Sequence, residues 1–285
     1  MVSVGVDVGG TNIVAGKVNR GSIVKISTRK TEASKGKKAV FNNLVGAIRD
    51  VLDKSVTEIG IGHPGPLDIK RGVIGNAVNL PMKGMALREM IHKEFSLPTK
   101  LDNDANCFAL GEAMYGKGKG KSTVLGMTLG TGVGSGLVLN GKIFHGRSNA
   151  LELGHTSIDF NGRKARCGNT GCLERYASTV GLRESAKEYG FKITDGEQIA
   201  GMARKGNPIA KKIWKEFGMF LGVGLANFAN TFDPDIIIIG GNITRSWDLF
   251  SKQAISEMKK RALFTPCPVV KSTLKNAAVV GAAAL

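Results

Sequence analysis

Asp7-Val8-Gly9-Gly10-Thr11-Asn12 stands between two alternating runs, Val4-Gly5-Val6 before it and Ile13-Val14-Ala15-Gly16-Lys17-Val18 after it. The second run ends at the turn signal Asn19-Arg20-Gly21, so the whole reads as a strand, a glycine turn and a returning strand. Such a turn lets backbone N–H groups approach an anion closely, because glycine has no Cβ to obstruct them. The pattern recurs: Gly126-Met127-Thr128-Leu129-Gly130-Thr131-Gly132 falls on Gly5 to Thr11, and Asn140-Gly141 falls on Asn19-Arg20. One glycine turn alone is more often a plain hairpin turn. Two copies of one phosphate-cradling hairpin point to two like domains facing one nucleotide.

A chain of 285 residues can hold one large or two modest domains, and the repeat favours two. Hydrophobic residues at 42% and charged residues at 22% are ordinary for a globular protein and argue against disorder. No apolar run approaches the ~18 residues of a membrane span, and the first strand starts at once, leaving no room for a signal peptide. Cys107, Cys167, Cys172 and Cys267 are too few and too scattered for a disulfide scaffold, which makes a reduced, cytoplasmic setting the expectation. The net charge of +17 comes from Lys and Arg spread along the whole chain. The densest cluster, Lys117-Gly118-Lys119-Gly120-Lys121, lacks the interleaved aromatics of a base-stacking platform. A solvated basic surface with a general pull on ATP is the expected reading, with no nucleic-acid or membrane partner.

Along the chain, a third strand over 22–27 completes a meander, and residues 39–52 form an amphipathic helix. A strand over 58–62 stops at the stiff turn His63-Pro64-Gly65-Pro66; a helix over 86–95 follows, then a short strand at 100–101 running into Asp102-Asn103-Asp104-Ala105-Asn106 and a helix over 105–115. The Gly/Lys stretch 116–121 lacks apolar residues and suits a domain crossing. Strands at 123–129 and 133–139 make the second hairpin, with a short strand near 142–144 and a loop-rich region over 145–180. Asn207 and Pro208 read as N-cap and first residue of a long helix reaching about Phe232. A buried strand, Asp235 to Ile239, ends at Gly240-Gly241-Asn242 before a helix over 246–262, and the small apolar residues Ala277 to Leu285 suit a last helix packing back on the first domain. Strands then helices, twice over, predict two α/β domains around a central cleft: residues 1–116 with 274–285, and residues 117–273.

Three groups of residues carry candidate chemistry. Asp7 ends the first strand, where a carboxylate either holds Mg²⁺ through its water shell or caps the turn. Asp104 sits at a strand-to-helix junction, where it can take a proton from a sugar hydroxyl as the oxygen attacks the γ-phosphorus, with Asn103 orienting the sugar. Either could instead serve only as the N-cap of the helix. His155, Cys167 and Cys172 resemble part of a zinc site, which normally has four ligands; buried thiols and a hydrogen-bonded imidazole are the competing reading.

Taken in order, these pieces resemble the ROK family (repressors, open reading frames and sugar kinases) of the actin/hexokinase superfamily, over essentially the whole chain. The matching pieces are Asp7 to Asn12, Gly62-His63-Pro64-Gly65-Pro66, Asn79-Leu80, Asn103-Asp104-Ala105-Asn106, Leu129 to Gly136, Glu152-Leu153-Gly154-His155, Cys167 to Glu174, and Ile239-Gly240-Gly241-Asn242. The resemblance implies two actin/hexokinase-like (ribonuclease H-like) domains and an ATP-dependent kinase acting on the 6-hydroxyl of a hexose, glucose or a broad set. The alternative is an N-acetylhexosamine, N-acetylmannosamine above all. By this likeness Asp104 is the general base, and Gly65, Asn79, Asn103, Asp104, Glu152, His155 and Glu174 hold the sugar. Gly9, Gly10, Thr11, Asn12, Gly130, Thr131 and Gly132 would surround the phosphates of ATP, Gly240 and Gly241 would border adenosine, and Mg²⁺ would accompany the phosphates. Homo-oligomers, dimers or tetramers, are usual in the family.

Two positions depart from the pattern. The family's zinc motif has a cysteine where this chain has Ala165, leaving His155, Cys167 and Cys172 as a three-ligand remnant. Zinc is then absent, or bound with water or another side chain as fourth ligand. Leu151 stands where relatives carry Gly or Ala before the Glu, beside the sugar loop. The rival reading within the family, a transcriptional repressor, calls for a helix-turn-helix ahead of the first hairpin. That hairpin starts at residue 4, which speaks for the kinase.

Overall fold

A computed structural model describes residues 2–75, 80–148, 151–192 and 195–285. Asn79, one of the expected sugar ligands, lies outside these residues. The chain packs as two compact units, the first made of Met1–Gly126, Gly136–Leu151 and Ser272–Leu285, the second of Met127–Ser135 and Glu152–Lys271.

The first hairpin is β1 (Val2–Val8) and β2 (Asn12–Asn19), extended by β3 (Ser22–Lys30), which runs a few residues beyond the expected strand. After α1 (Lys37–Val51) come β4 (Glu58–His63) and a small antiparallel pair, β5 (Leu67–Asp68) with β6 (Val73–Ile74), too short to show a period in sequence. Then follow α2 (Leu87–Phe95), β7 (Thr99–Asn103) and α3 (Asp104–Tyr115). The second hairpin is β8 (Thr123–Leu129) and β9 (Val133–Leu139), with β10 (Lys142–Ile143). Helices α4 (Thr179–Glu188), α5 (Gly196–Arg204) and α6 (Pro208–Phe232) lead to β11 (Ile236–Gly240), α7 (Trp247–Arg261), β12 (Val269–Lys271) and α8 (Ala277–Ala282).

The repeat seen in sequence is a repeat of topology. One sheet has the order β3-β2-β1-β4-β7 and the other β10-β9-β8-β11-β12. In the first sheet β1 pairs antiparallel with β2 but parallel with β4, and β4 pairs parallel with β7. The register sets Asp7 beside Gly62, Gly62 beside Asp102, and His63 beside Asn103. The C-terminal ends of three parallel strands therefore lie side by side, which is where open α/β sheets bind ligands.

Close backbone approach holds α3 behind this edge. A Cβ on Gly5 would sit 1.9 Å from the Val279 carbonyl oxygen, and one on Gly60 would sit 1.7 Å from that of Ala282, so α8 lies directly on β1 and β4. On its other side α8 meets α3, where a Cβ on Gly281 would sit 1.7 Å from the Cys107 oxygen. Larger residues at these contacts would force helix and sheet apart. In the second unit α6 begins as its sequence predicts: the Asn207 side chain accepts from Ala210 N–H, and Pro208 follows. It buries Ile213, Trp214, Phe217 and Leu221 at helical spacing, and Phe217 meets Phe250 of α7 edge-on at 5.0 Å. Helices α4 and α5, unmarked in the sequence reading, are short, each capped by a side chain, Ser178 and Asp195. No helix among the described residues is long and apolar enough to cross a membrane.

Candidate active site

In the first unit the β1–β2 turn is tight: Gly9 N–H donates to Asn12 O at 2.9 Å, and a Cβ on Gly9 would sit 2.8 Å from that oxygen. Thr31 braces the turn from the end of β3, its N–H donating to Thr11 O (2.9 Å) and its hydroxyl to Gly9 O (2.6 Å). Gly10 and Thr11 are left exposed at the apex. In the second unit the β8–β9 turn is built alike. Gly130 N–H donates to Gly132 O (3.0 Å), and Thr179 donates both its N–H and its hydroxyl to Gly130 O (2.9 Å each). The two bracing threonines escape the sequence reading because each reaches its turn from far along the chain, and only the paired fold brings them there.

Asn103 is the N-cap of α3, its Oδ1 accepting from Ala105 N–H (2.8 Å) and Asn106 N–H (3.3 Å). Asp104 is the first helical residue; its Oδ1 accepts from Ala105 N–H at 2.8 Å and it is half-buried. The capping alternative thus falls to Asn103. Asp7 lies within electrostatic reach of Asp104: burial first, and the Asp104 charge second, raise the Asp7 carboxyl from 3.8 to about 7. Two carboxyls that repel each other are a fitting seat for a cation, so the donor chemistry at Asp7 suits Mg²⁺ held through water. Gly65 follows β4 on the same edge, next to His63, whose ring N–H donates to Pro64 O (2.7 Å) and whose burial lowers its pKa to about 4.

In the second unit, short 3₁₀ turns at Leu153–His155 and Leu173–Arg175 carry the other expected sugar ligands. A Cβ on Gly154 would sit 2.4 Å from Val133 O, and Leu153 N–H donates to Ser135 Oγ (3.2 Å), which seats Glu152 and His155 against the start of β9. Glu152 keeps exposed surface, yet enclosure of its carboxyl raises its pKa, with His155 opposing and Glu174 adding. Glu174 is already engaged: its Oε2 accepts from Val133 N–H at 3.1 Å, and a Cβ on Gly132 would sit 2.3 Å from that oxygen. Gly241, with φ 88°, packs on the end of β8, where a Cβ would sit 2.3 Å from Leu129 O. Gly240, Gly241 and the Gly130–Gly132 turn therefore share one edge of the second unit.

His155, Cys167 and Cys172 converge, with ligand atoms all within 4.8 Å of one another and the two sulfurs 3.6 Å apart. His155 Nδ1 is buried without a hydrogen-bond partner. Burial, then Cys167, raises the Cys172 thiol to about 11. An imidazole gathered with two thiols, and holding a ring nitrogen without a partner, fits three corners of a tetrahedral zinc site. Ala165 supplies no fourth; its backbone instead closes a turn with Asn169 O and Gly168 N–H.

With this geometry in place, comparison with known proteins identifies the class. The ROK family model matches residues 3–285, and the chain belongs to the ROK family. It is 32% identical to a glucokinase from Thermotoga maritima, covering 99% of this chain and 96% of that one. Among solved structures it is similar to a ROK family glucokinase from Streptomyces griseus in complex with glucose and AMPPNP, at 30% identity, TM-score 0.86, and 100% and 98% coverage. It is also similar to a putative N-acetylmannosamine kinase from Listeria monocytogenes, at 27% identity, TM-score 0.85, and 100% and 98% coverage.

Proposed function

We propose that this chain is an ATP-dependent sugar kinase that phosphorylates the 6-hydroxyl of a hexose, glucose or a broad set of hexoses, with Asp104 as general base. The observation that carries the reading is the carboxyl edge of the first sheet, where Asp104 opens α3 beside Asp7, close enough to perturb it. The glucose and AMPPNP bound by the Streptomyces griseus relative support the choice of substrates. The two packing units are read as the two actin/hexokinase-like domains.

In the proposed reaction, Asp104 accepts the proton of the 6-hydroxyl as its oxygen attacks the γ-phosphorus and ADP departs. The two glycine turns, exposed at Gly10, Thr11 and Thr131, would offer the backbone N–H groups not used within the turns to the phosphates, and Gly240 and Gly241 would border adenosine. Mg²⁺, held through water at Asp7, would offset phosphate charge when bound. Gly65, Asn79, Asn103, Glu152, His155 and Glu174 hold sugar hydroxyls, and a polar site of this kind rejects ligands that leave its groups unpaired. Zinc, if held by His155, Cys167 and Cys172 with water or another side chain as fourth ligand, would stiffen the loop bearing His155.

The Listeria monocytogenes relative supports a second reading, an N-acetylmannosamine or N-acetylglucosamine kinase. A coupled ADP-release assay with Mg-ATP against glucose, mannose, N-acetylglucosamine and N-acetylmannosamine separates the two. Turnover with glucose is expected. Turnover with acetylated sugars alone moves the protein to the second reading and makes Leu151 the first position to mutate. No turnover with any of them overturns the kinase reading.

A further inference from the structure

Asp102, at the end of β7, is a buried carboxylate whose oxygens are all engaged. Its Oδ1 accepts from the Asn103 backbone N–H (2.7 Å) and from Asn106 Nδ2 (2.9 Å). Its Oδ2 accepts from His145 Nε2 at 2.6 Å. The two Oδ1 bonds grip the chain on both sides of Asp104, one residue before it and one turn beyond the cap. Because a carboxylate only accepts, His145 Nε2 carries the proton in this bond. A buried anion held by two neutral amides alone is poorly compensated, and a third donor on the other oxygen completes it.

His145 itself has little to do as a packing element: its side chain is 38% exposed, while that of Asp102 is 5% exposed. It reaches in from the segment after β10, and among the described residues its ring is bonded to Asp102. The cavity beside the pair, about 410 Å³, is also lined by Arg88 of α2, Lys100 of β7 and Lys142 of β10. From α3, the buried Cys107 thiol stands beside Asp102, Asp104 and Asp7, whose charges add to burial in raising its pKa.

We infer that His145 and Asp102 are a positioning pair that fixes the β7–α3 turn, and through it the carboxylate of Asp104. The inference rests on the reading of Asp104 as general base. Proton transfer requires a heavy-atom separation of about 2.6–3.2 Å, and a misplacement of about 1 Å costs on the order of 10²-fold in rate. Losing the His145 donor leaves Asp102 Oδ2 without its partner and frees the turn, slowing the chemical step without removing a substrate contact.

The test compares His145→Phe, His145→Gln and Asp104→Asn in the coupled assay with the best hexose, alongside thermal unfolding. Phe fills the volume without a donor, whereas the Gln amide places an N–H where Nε2 stood. H145F is expected to lower kcat about 10- to 100-fold with KM for sugar and ATP changed less than about twofold, and H145Q to recover most of kcat. If H145F lowers the unfolding midpoint, His145→Asn, polar but too short to reach Asp102, takes its place. Wild-type kcat in H145F, equal losses in H145F and H145Q, or a loss confined to KM overturns the pair's role. Full turnover in D104N overturns the base assignment and the pair with it. An inactive D104N beside an unaffected H145F removes the pair alone.

Discussion

Asp7 and Asp104 carry carboxyls close enough to repel, and burial together with the Asp104 charge raises Asp7 to about 7. In the same unit, burial lowers His63 to about 4. The two shifts act on stability in opposite directions. Between about 3.8 and 7 the folded state holds the Asp7 proton that the unfolded state has lost, so stability falls as pH rises through that window. Between about 4 and 6.5 the unfolded state holds the His63 proton that the folded state refuses, so stability rises with pH there. The two contributions largely cancel in the wild type.

Asp7→Asn is therefore expected to unmask the His63 contribution. Its stability should climb from pH 4 to 6.5 and exceed the wild type at pH 8. The gain is on the order of 2 kcal/mol, since a pKa unit is worth about 1.4 kcal/mol and solvent access to Asp7 screens part of it. Chemical denaturation across pH measures this. Adding Mg²⁺ at pH 8 should raise the midpoint of the wild type and leave D7N unmoved. An unchanged pH profile in D7N would show that the two carboxyls do not repel each other.

Glu174 holds the second glycine turn through Val133 N–H, as well as being an expected sugar ligand. Glu174→Ala should leave that N–H without its acceptor at a cost of about 1–3 kcal/mol, and raise KM for both ATP and sugar. Glu174→Gln keeps an acceptor oxygen and should raise KM for sugar while sparing KM for ATP. Equal effects of the two variants on ATP would show that the turn does not depend on this bond.

Ala165→Cys restores a thiol where the family motif has one. With His155, Cys167 and Cys172 already within 4.8 Å of one another, the variant should purify with close to one zinc per chain and lose unfolding midpoint when chelated. The wild type should contain less metal and respond less to the chelator. About one zinc per chain in both proteins would mean that the fourth corner is already filled by another donor, and none in either would overturn zinc binding at this cluster.

Much of this protein was determined locally by its sequence. The two glycine hairpins, the Asn207-Pro208 start of α6 and the run into α3 are each specified by neighbouring residues. Turn chemistry, capping and hydrophobic period act over a few positions. Helices α4 and α5 and the β5–β6 pair were not legible, because short elements carry too few periods to stand out from loop. The positions of Asp7 and Asp104 could be read as strand-end and helix-start carboxylates, but their mutual repulsion could not. It arises from the parallel order β1-β4-β7, a choice made by strand pairing across distant segments. The same holds for Thr31 and Thr179 under the glycine turns, Glu174 on Val133, and His145 on Asp102. A hydrogen bond between residues tens of positions apart leaves no local pattern, since the chain between them is free to take many paths. Only the packed sheets and the close seating of α8 under α3 select the one that brings the partners together.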